Sequence, residues 1–196
     1  MFTARIPLIL ASASPRRKDF LNSLGLTFSI DPADIDETPL PAEAPDAFAQ
    51  RMARDKAQAL SILHPHKCII AADTVVALDE RIYGKPENPE QALIFLKQLQ
   101  GRTHQVITGY SVLARQYNIE AWSTETTMVT FGHFETSVLQ SYVNTGDPLD
   151  KAGAYGIQGI GTFLVHSIEG SYSNVVGLPL TQLLNTLLQY NIIYPD

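Results

Sequence analysis

The sequence predicts a mixed α/β fold, and three observations lead there. Short apolar and β-branched runs alternate along the 196 residues with stretches of helical periodicity. Helix borders are punctuated, with Ser or Asn followed by Pro at starts and Gly at ends. The composition, 45% hydrophobic and 17% charged, is that of an ordinary globular domain with ample core.

The elements follow in order. RIPLILA (residues 5–11) reads as the first strand. PRRKDFLNSLG is a helix with Ser14 as N-cap and Pro15 at its first position, turning Phe20, Leu21 and Leu24 inward and stopping at Gly25. LTFSI is a short strand, and DPADIDETPLPAEAP is an acidic, proline-rich loop. A long helix over residues 46–63 ends before Pro65. CIIAADTVVALDERIYGKP holds two strands that reverse around Asp79 and Glu80. Asn88 caps a helix that begins with Pro89 and runs to Gly101. Residues 103–131 form a long hairpin turning near 116–118. A helix closed by Gly146, a Gly-rich loop over 147–162, a strand over 163–170 and a helix over 179–190 complete the chain as one domain, 1–196.

Composition excludes some classes of function. The net charge is −6, without the basic stripe of a nucleic-acid binder. No segment reaches the roughly 20 apolar residues of a membrane span. The early apolar run is shorter than a secretory h-region and contains Pro7, so it reads as a strand and not as a leader. The single cysteine, Cys68, lies in an apolar run and reads as a small buried hydrophobe in a reducing cytoplasm. His64 and His66 read as surface residues, and His104, His133 and His166 as isolated, so no structural zinc is expected.

One helix start is chemically odd. Arg16, Arg17 and Lys18 crowd the first turn after Ser12-Ala13-Ser14-Pro15, where the helix dipole already carries partial positive charge. Either these cations are solvated, or an anion sits there, gripped by free N–H groups, the Ser12 and Ser14 hydroxyls and the arginine forks. Lys18 has no assigned task. Lys56 falls in helical register with Phe48, Met52 and Leu60, on the apolar stripe. It either snorkels from the edge of that stripe or projects an ammonium into a site. Asp73, followed by Thr74, interrupts an apolar strand. Its carboxylate either caps a turn or binds a metal ion and activates a water.

Lys85 sits in a tight Gly-Lys-Pro loop, and the acidic loop with Asp31, Asp34, Asp36 and Glu37 is either solvated or lends one of these carboxylates to a divalent ion. The segment KAGAYGIQG around Gln158 lets backbone approach a ligand closely, without being a P-loop or a dinucleotide fingerprint. The residues alone thus point to metal-dependent phosphate chemistry on a small ligand, with hydrolysis and transfer both open.

The ordered set LASASPRR, RMARDKA, AADTVV with GKP, GRTHQVITG, DKAGAYGIQG and GSYSNVVGLPL resembles the Maf family, first named for inhibition of septum formation, over nearly the whole chain. The resemblance implies an elongated α/β fold with a central mixed sheet and a deep cleft between two lobes, akin to that of inosine triphosphate pyrophosphatases. It also implies a nucleoside triphosphate pyrophosphatase, cytoplasmic and commonly homodimeric, that uses Mg²⁺, Mn²⁺ or Co²⁺. By this resemblance Asp73 is the proton acceptor; the mechanism that follows as a hypothesis has Asp73 with Glu37 hold the metal. Ser12, Ser14, Arg16, Arg17, Lys56, Thr74, Lys85 and Gln158 contact substrate, and Arg16, Thr74 and Gln158 govern specificity.

Arg, Thr and Gln at those three positions match the branch acting on dTTP and UTP. The branch acting on 7-methyl-GTP carries Trp, Gln and Glu there. Within the triphosphate site, Arg17 is assigned phosphate charge alone, and Arg16 also the choice of base. Housecleaning of modified pyrimidine nucleotides is the role that goes with this branch. The competing expectations are 7-methyl-GTP or broad nucleotide specificity, and a nucleotide-binding regulator of septum formation without turnover.

Overall fold

The computed structural model describes residues 1–196. Its strands are β1 (Phe2–Ala4), β2 (Leu8–Leu10), β3 (Phe28–Ile30), β4 (Cys68–Leu78), β5 (Arg81–Tyr83), β6 (Thr103–Ala114), β7 (Ile119–Phe131), β8 (Val165–Glu169) and β9 (Ile193–Pro195). Its α-helices are α1 (Pro15–Ser23), α2 (Pro45–Leu63), α3 (Pro89–Leu99), α4 (Thr136–Val143), α5 (Tyr172–Val176) and α6 (Leu180–Gln189). A seven-stranded sheet has the order β3-β2-β4-β6-β7-β8, with β5 paired to β4. The sheet is mixed: β2 runs parallel to both β3 and β4, whereas β5 and β8 pair antiparallel with β4 and β7. The mixed α/β class read from the sequence is the class observed.

The chain forms two compact units. The first comprises Met1–Asp73, Thr108–Glu125 and Gly177–Asp196. β2 and the first part of β4 are buried on both faces, which is why they read as unbroken apolar runs. Leu8, Leu10, Cys68, Ile70, Ala72 and Val112 face Leu21 of α1 and Leu183 and Leu187 of α6. The alternate residues Ile9, Ala11, Ile69, Ala71 and Leu113 face Ala57 and Leu60 of α2. The second unit comprises Thr74–Ile107 and Thr126–Val176. There α3 and α4 bring Phe95, Leu96, Leu99, Leu139 and Tyr142 onto Val76, Leu78, Val129 and Phe131. No helix is long and apolar enough to cross a membrane.

Several borders differ from expectation. The first strand is shorter than residues 5–11, and β1 and β9 form a separate antiparallel pair at the termini. Pro7 has no N–H to offer a ladder, and its carbonyl accepts from the Cys68 N–H at 2.9 Å. Ser14 occupies the N-cap of α1, but its side chain makes no capping bond. The strand expected over 163–170 begins only at Val165, after a 3₁₀ turn over Gly159–Leu164, and α5 is an additional short helix. The reversal at Asp79 and Glu80 is as read, with both residues at positive φ in a two-residue hairpin. Cys68 is fully buried, and burial pushes its thiol up to about 12.

Candidate active site

The first unit gathers most of the chemically suggestive residues. Helix α2 buries Phe48, Ala49, Met52, Ala53 and Ala57 on its inner face, and Lys56 lies among them at 8% exposure. A buried ammonium needs anionic partners, and Lys56 has two. Its Nζ lies 2.7 Å from Asp73 Oδ1 and 2.6 Å from Glu37 Oε1. Lys56 therefore does not snorkel; it joins the strand carboxylate to the acidic loop. Asp73 sits within β4 directly after the fully buried Ala71 and Ala72, and is itself half-buried. Glu37 is more than half exposed.

The loop carrying Glu37 is tethered at both ends, which its composition did not reveal. Arg51 of α2 donates from Nε to Glu43 Oε1 and from Nη2 to Glu43 Oε2, each at 2.6 Å, and from Nη2 to the Thr38 carbonyl at 3.1 Å. At the other end His64 Nε2 lies 2.7 Å from Asp31 Oδ2. Arg51 is five residues before Lys56 on the same helix, so the helix that presents the ammonium also fixes the loop that meets it. A glutamate eight residues before an arginine, across a loop-to-helix border, was the available signal.

At the start of α1 the three cations part company. Lys18 is exposed and Arg16 half-buried. Arg17 is turned into the protein: Nε donates to the Gly177 carbonyl at 2.7 Å, and Nη1 to the Ala72 carbonyl at 2.8 Å and to Ser12 Oγ at 3.1 Å. Ser12 is 8% exposed, and its Oγ also accepts from the Ser14 N–H at 3.2 Å. Burial lowers the Arg17 pKa most, Asp73 pulls it back up, Arg16 lowers it and Glu37 raises it. The guanidinium stays charged beside both carboxylates.

Thr74, Lys85 and Gln158 belong to the second unit. Thr74 is half-buried; Lys85 and Gln158 are exposed. The Gly-rich segment is seated on the turn that carries Lys85, since the Gly153 N–H donates to the Gly84 carbonyl at 3.1 Å. Gly153 takes a left-handed φ of 68°, and a Cβ there would meet Val76 at 2.8 Å. Lys151 of the same segment is occupied internally, with Nζ 2.7 Å from Asp150 Oδ1 and 3.1 Å from Asp147 Oδ1.

His104, which looked isolated in the sequence, anchors this segment. Its Nε2 lies 2.7 Å from the Tyr155 hydroxyl in a buried ring cluster with Phe131. Burial lowers the imidazole to about 4 from an ordinary 6.5. The unfolded chain therefore takes up a proton that the folded chain refuses, so stability falls as pH drops from the unfolded value toward the folded one. Between pH 7 and pH 5 this contributes a loss of about 2 kcal/mol. Urea unfolding of wild type and His104→Gln at both pH values checks it. Equal losses in the two proteins would refute the assignment.

Asp73 and Glu37 face two cations, Lys56 and Arg17, and the hard oxygens of the two carboxylates suit Mg²⁺ or Mn²⁺. No three His, Cys, Asp or Glu side chains converge anywhere in the chain as a metal site. An ion at Asp73 and Glu37 would thus complete its shell with substrate phosphate and water, the usual habit of Mg²⁺.

Comparison with known proteins gives a consistent set. The family model described as Maf-like protein matches residues 7–190. The dTTP/UTP pyrophosphatase of Desulfotalea psychrophila is 49% identical over 193 residues, covering 98% of this chain and 99% of that one. The dTTP/UTP pyrophosphatase of Nitratidesulfovibrio vulgaris is 46% identical over 194 residues, covering 98% and 92%. That of Myxococcus xanthus is 46% identical over 188 residues, covering 96% and 94%.

Proposed function

We propose that this chain, which belongs to the Maf-like protein family, is a nucleoside triphosphate pyrophosphatase that converts dTTP and UTP to the monophosphate and pyrophosphate. The observation that carries the chemistry is the buried Lys56, which holds Asp73 and Glu37 together. The substrate comes from relatives named dTTP/UTP pyrophosphatase that match nearly end to end.

In this reading Asp73 takes a proton from a water as that water's oxygen attacks the α-phosphorus. The bond from the α-phosphorus to the bridging oxygen breaks, and pyrophosphate leaves with the electron pair. Lys56 holds the Asp73 carboxylate in place by a 2.7 Å ion pair, so the base needs no reorganisation when the proton moves. Asp73 and Glu37 would hold the divalent cation, which when bound supplies charge neutralisation on the triphosphate. Arg16 and Lys85 contribute further positive charge to the phosphates, and the Ser12 and Ser14 hydroxyls contribute hydrogen bonds. Arg16, Thr74 and Gln158 select the base. A cytoplasmic setting and a homodimer belong to the proposal on the family resemblance.

A panel of dTTP, UTP, 7-methyl-GTP and ATP with Mg²⁺ or Mn²⁺ tests it. The expected result is dTMP and UMP with pyrophosphate in equal amount, and turnover of the two purine nucleotides lower by about tenfold or more. Release of orthophosphate, or preference for 7-methyl-GTP, would overturn the reading.

A further inference from the structure

We infer that Arg17 is a positioning residue for this reaction and not a phosphate ligand: its guanidinium clamps the peptide leading into Asp73, the Ser12 hydroxyl and the Gly177 carbonyl, and so aims the Asp73 carboxylate. The inference rests on the proposed role of Asp73 and replaces the assignment of Arg17 to phosphate charge.

Three bonds carry it. Nε is given to Gly177 O, while Nη1 serves both Ala72 O and Ser12 Oγ. A guanidinium offers two donor pairs for a two-pronged grip on a phosphate, one pairing Nε with Nη2 and the other pairing Nη1 with Nη2. Each pair here has at least one member already engaged by the protein. A two-pronged grip on pyrophosphate would require breaking a part-buried bond, to Gly177 on one edge or to Ala72 and Ser12 on the other.

The Ala72 carbonyl gives the clamp its leverage. That oxygen lies in the same rigid peptide plane as the N–H of Asp73. Fixing it fixes the plane from which the Asp73 side chain departs. Lys56 holds the far end of that side chain at 2.7 Å. Arg17 sets the base of the carboxylate and Lys56 its tip. The other two acceptors come from segments far apart in sequence, so the clamp also joins the turn before α1 to the chain just before α6.

The readouts for clamp and ligand are opposite. In Arg17→Lys and Arg17→Gln, both checked for folding by circular dichroism and thermal melting, kcat for dTTP is expected to fall by about thirtyfold or more. KM and the inhibition constant of inorganic pyrophosphate are expected to stay within about threefold. Lysine keeps the charge but has no fork, so it is not expected to rescue. Near wild-type kcat in Arg17→Lys, or a tenfold weaker pyrophosphate inhibition, would overturn the inference.

Wild-type protein supplies a test that no folding defect can obscure. Its Arg17 Nε–H NMR signal, assigned through its own side-chain carbons, is expected to hold its position under saturating pyrophosphate. A shift as large as that of Arg16 would overturn the clamp. A wild type that releases no pyrophosphate from any nucleotide overturns the functional reading and, with it, this inference. A wild type that turns over while the Arg17 results go the other way overturns the clamp alone.

Discussion

Asp73→Asn is expected to lower kcat for dTTP by about a thousandfold, with a folded protein and little change in KM. The amide has the shape of the carboxylate and can still accept the Lys56 bond made at 2.7 Å. It cannot take a proton from water at neutral pH. Loss of activity with retained melting behaviour therefore isolates the base from the architecture. Coupled assay of pyrophosphate and a thermal melt are sufficient. A folded Asp73→Asn protein with turnover within about threefold of wild type would remove Asp73 from the role of base.

The surroundings make Asp73 a better candidate than other carboxylates in the chain. Asp36 is exposed and serves its own loop through the Thr38 N–H at 2.9 Å. Glu43 is taken by Arg51, and Asp147 and Asp150 by Lys151. Asp73 combines a strand position, partial burial and a nearly buried ammonium shared with a second carboxylate. That combination holds a carboxylate in one orientation and sets hard oxygens where a divalent cation and its polyphosphate could bind.

Much of this was legible in the sequence because it obeys local periodicity. Lys56 falls in step with Phe48, Met52 and Leu60, and that register alone placed it on the buried stripe of α2. Asn88 and Pro89 announced α3, and the Asn88 side chain accepts from the Gln91 N–H at 2.8 Å. What was not legible depends on long-range pairing. The β1–β9 pair joins residues from opposite ends of the chain, and three residues on each side carry no pattern of their own. Arg17 looked equivalent to Arg16 because both are arginines at a helix start. Only the fold brings the carbonyls of Ala72 and Gly177 to Arg17. His104 looked isolated because its partner, Tyr155, is 51 residues away.

Gly109→Ala is expected to be strongly destabilising. Gly109 lies on β6 where it passes under α2. A Cβ there would stand 2.4 Å from the Ala49 carbonyl oxygen, 2.6 Å from its carbon and 2.7 Å from the Gln50 nitrogen. These are backbone atoms of a helix whose inner face is fully buried, so no rotamer change relieves the overlap. The helix and strand must move apart by about 1 Å, at a cost of about 3 kcal/mol or more, which lowers Tm by roughly 6–12 °C for a chain of this size.

Activity is expected to fall as well, at temperatures where the variant is still folded. The same helix carries Lys56, and a misplacement of about 1 Å in a catalytic array can cost about a hundredfold in rate. Gly84→Ala is the matched control for stability, since a Cβ at Gly84 meets nothing within 4 Å. Its melting point is expected within about 2 °C of wild type. If Gly109→Ala melts as late as Gly84→Ala, the close approach of β6 to α2 is not what seats the helix. If it melts early but keeps full turnover at low temperature, the seat of α2 does not set the position of Lys56.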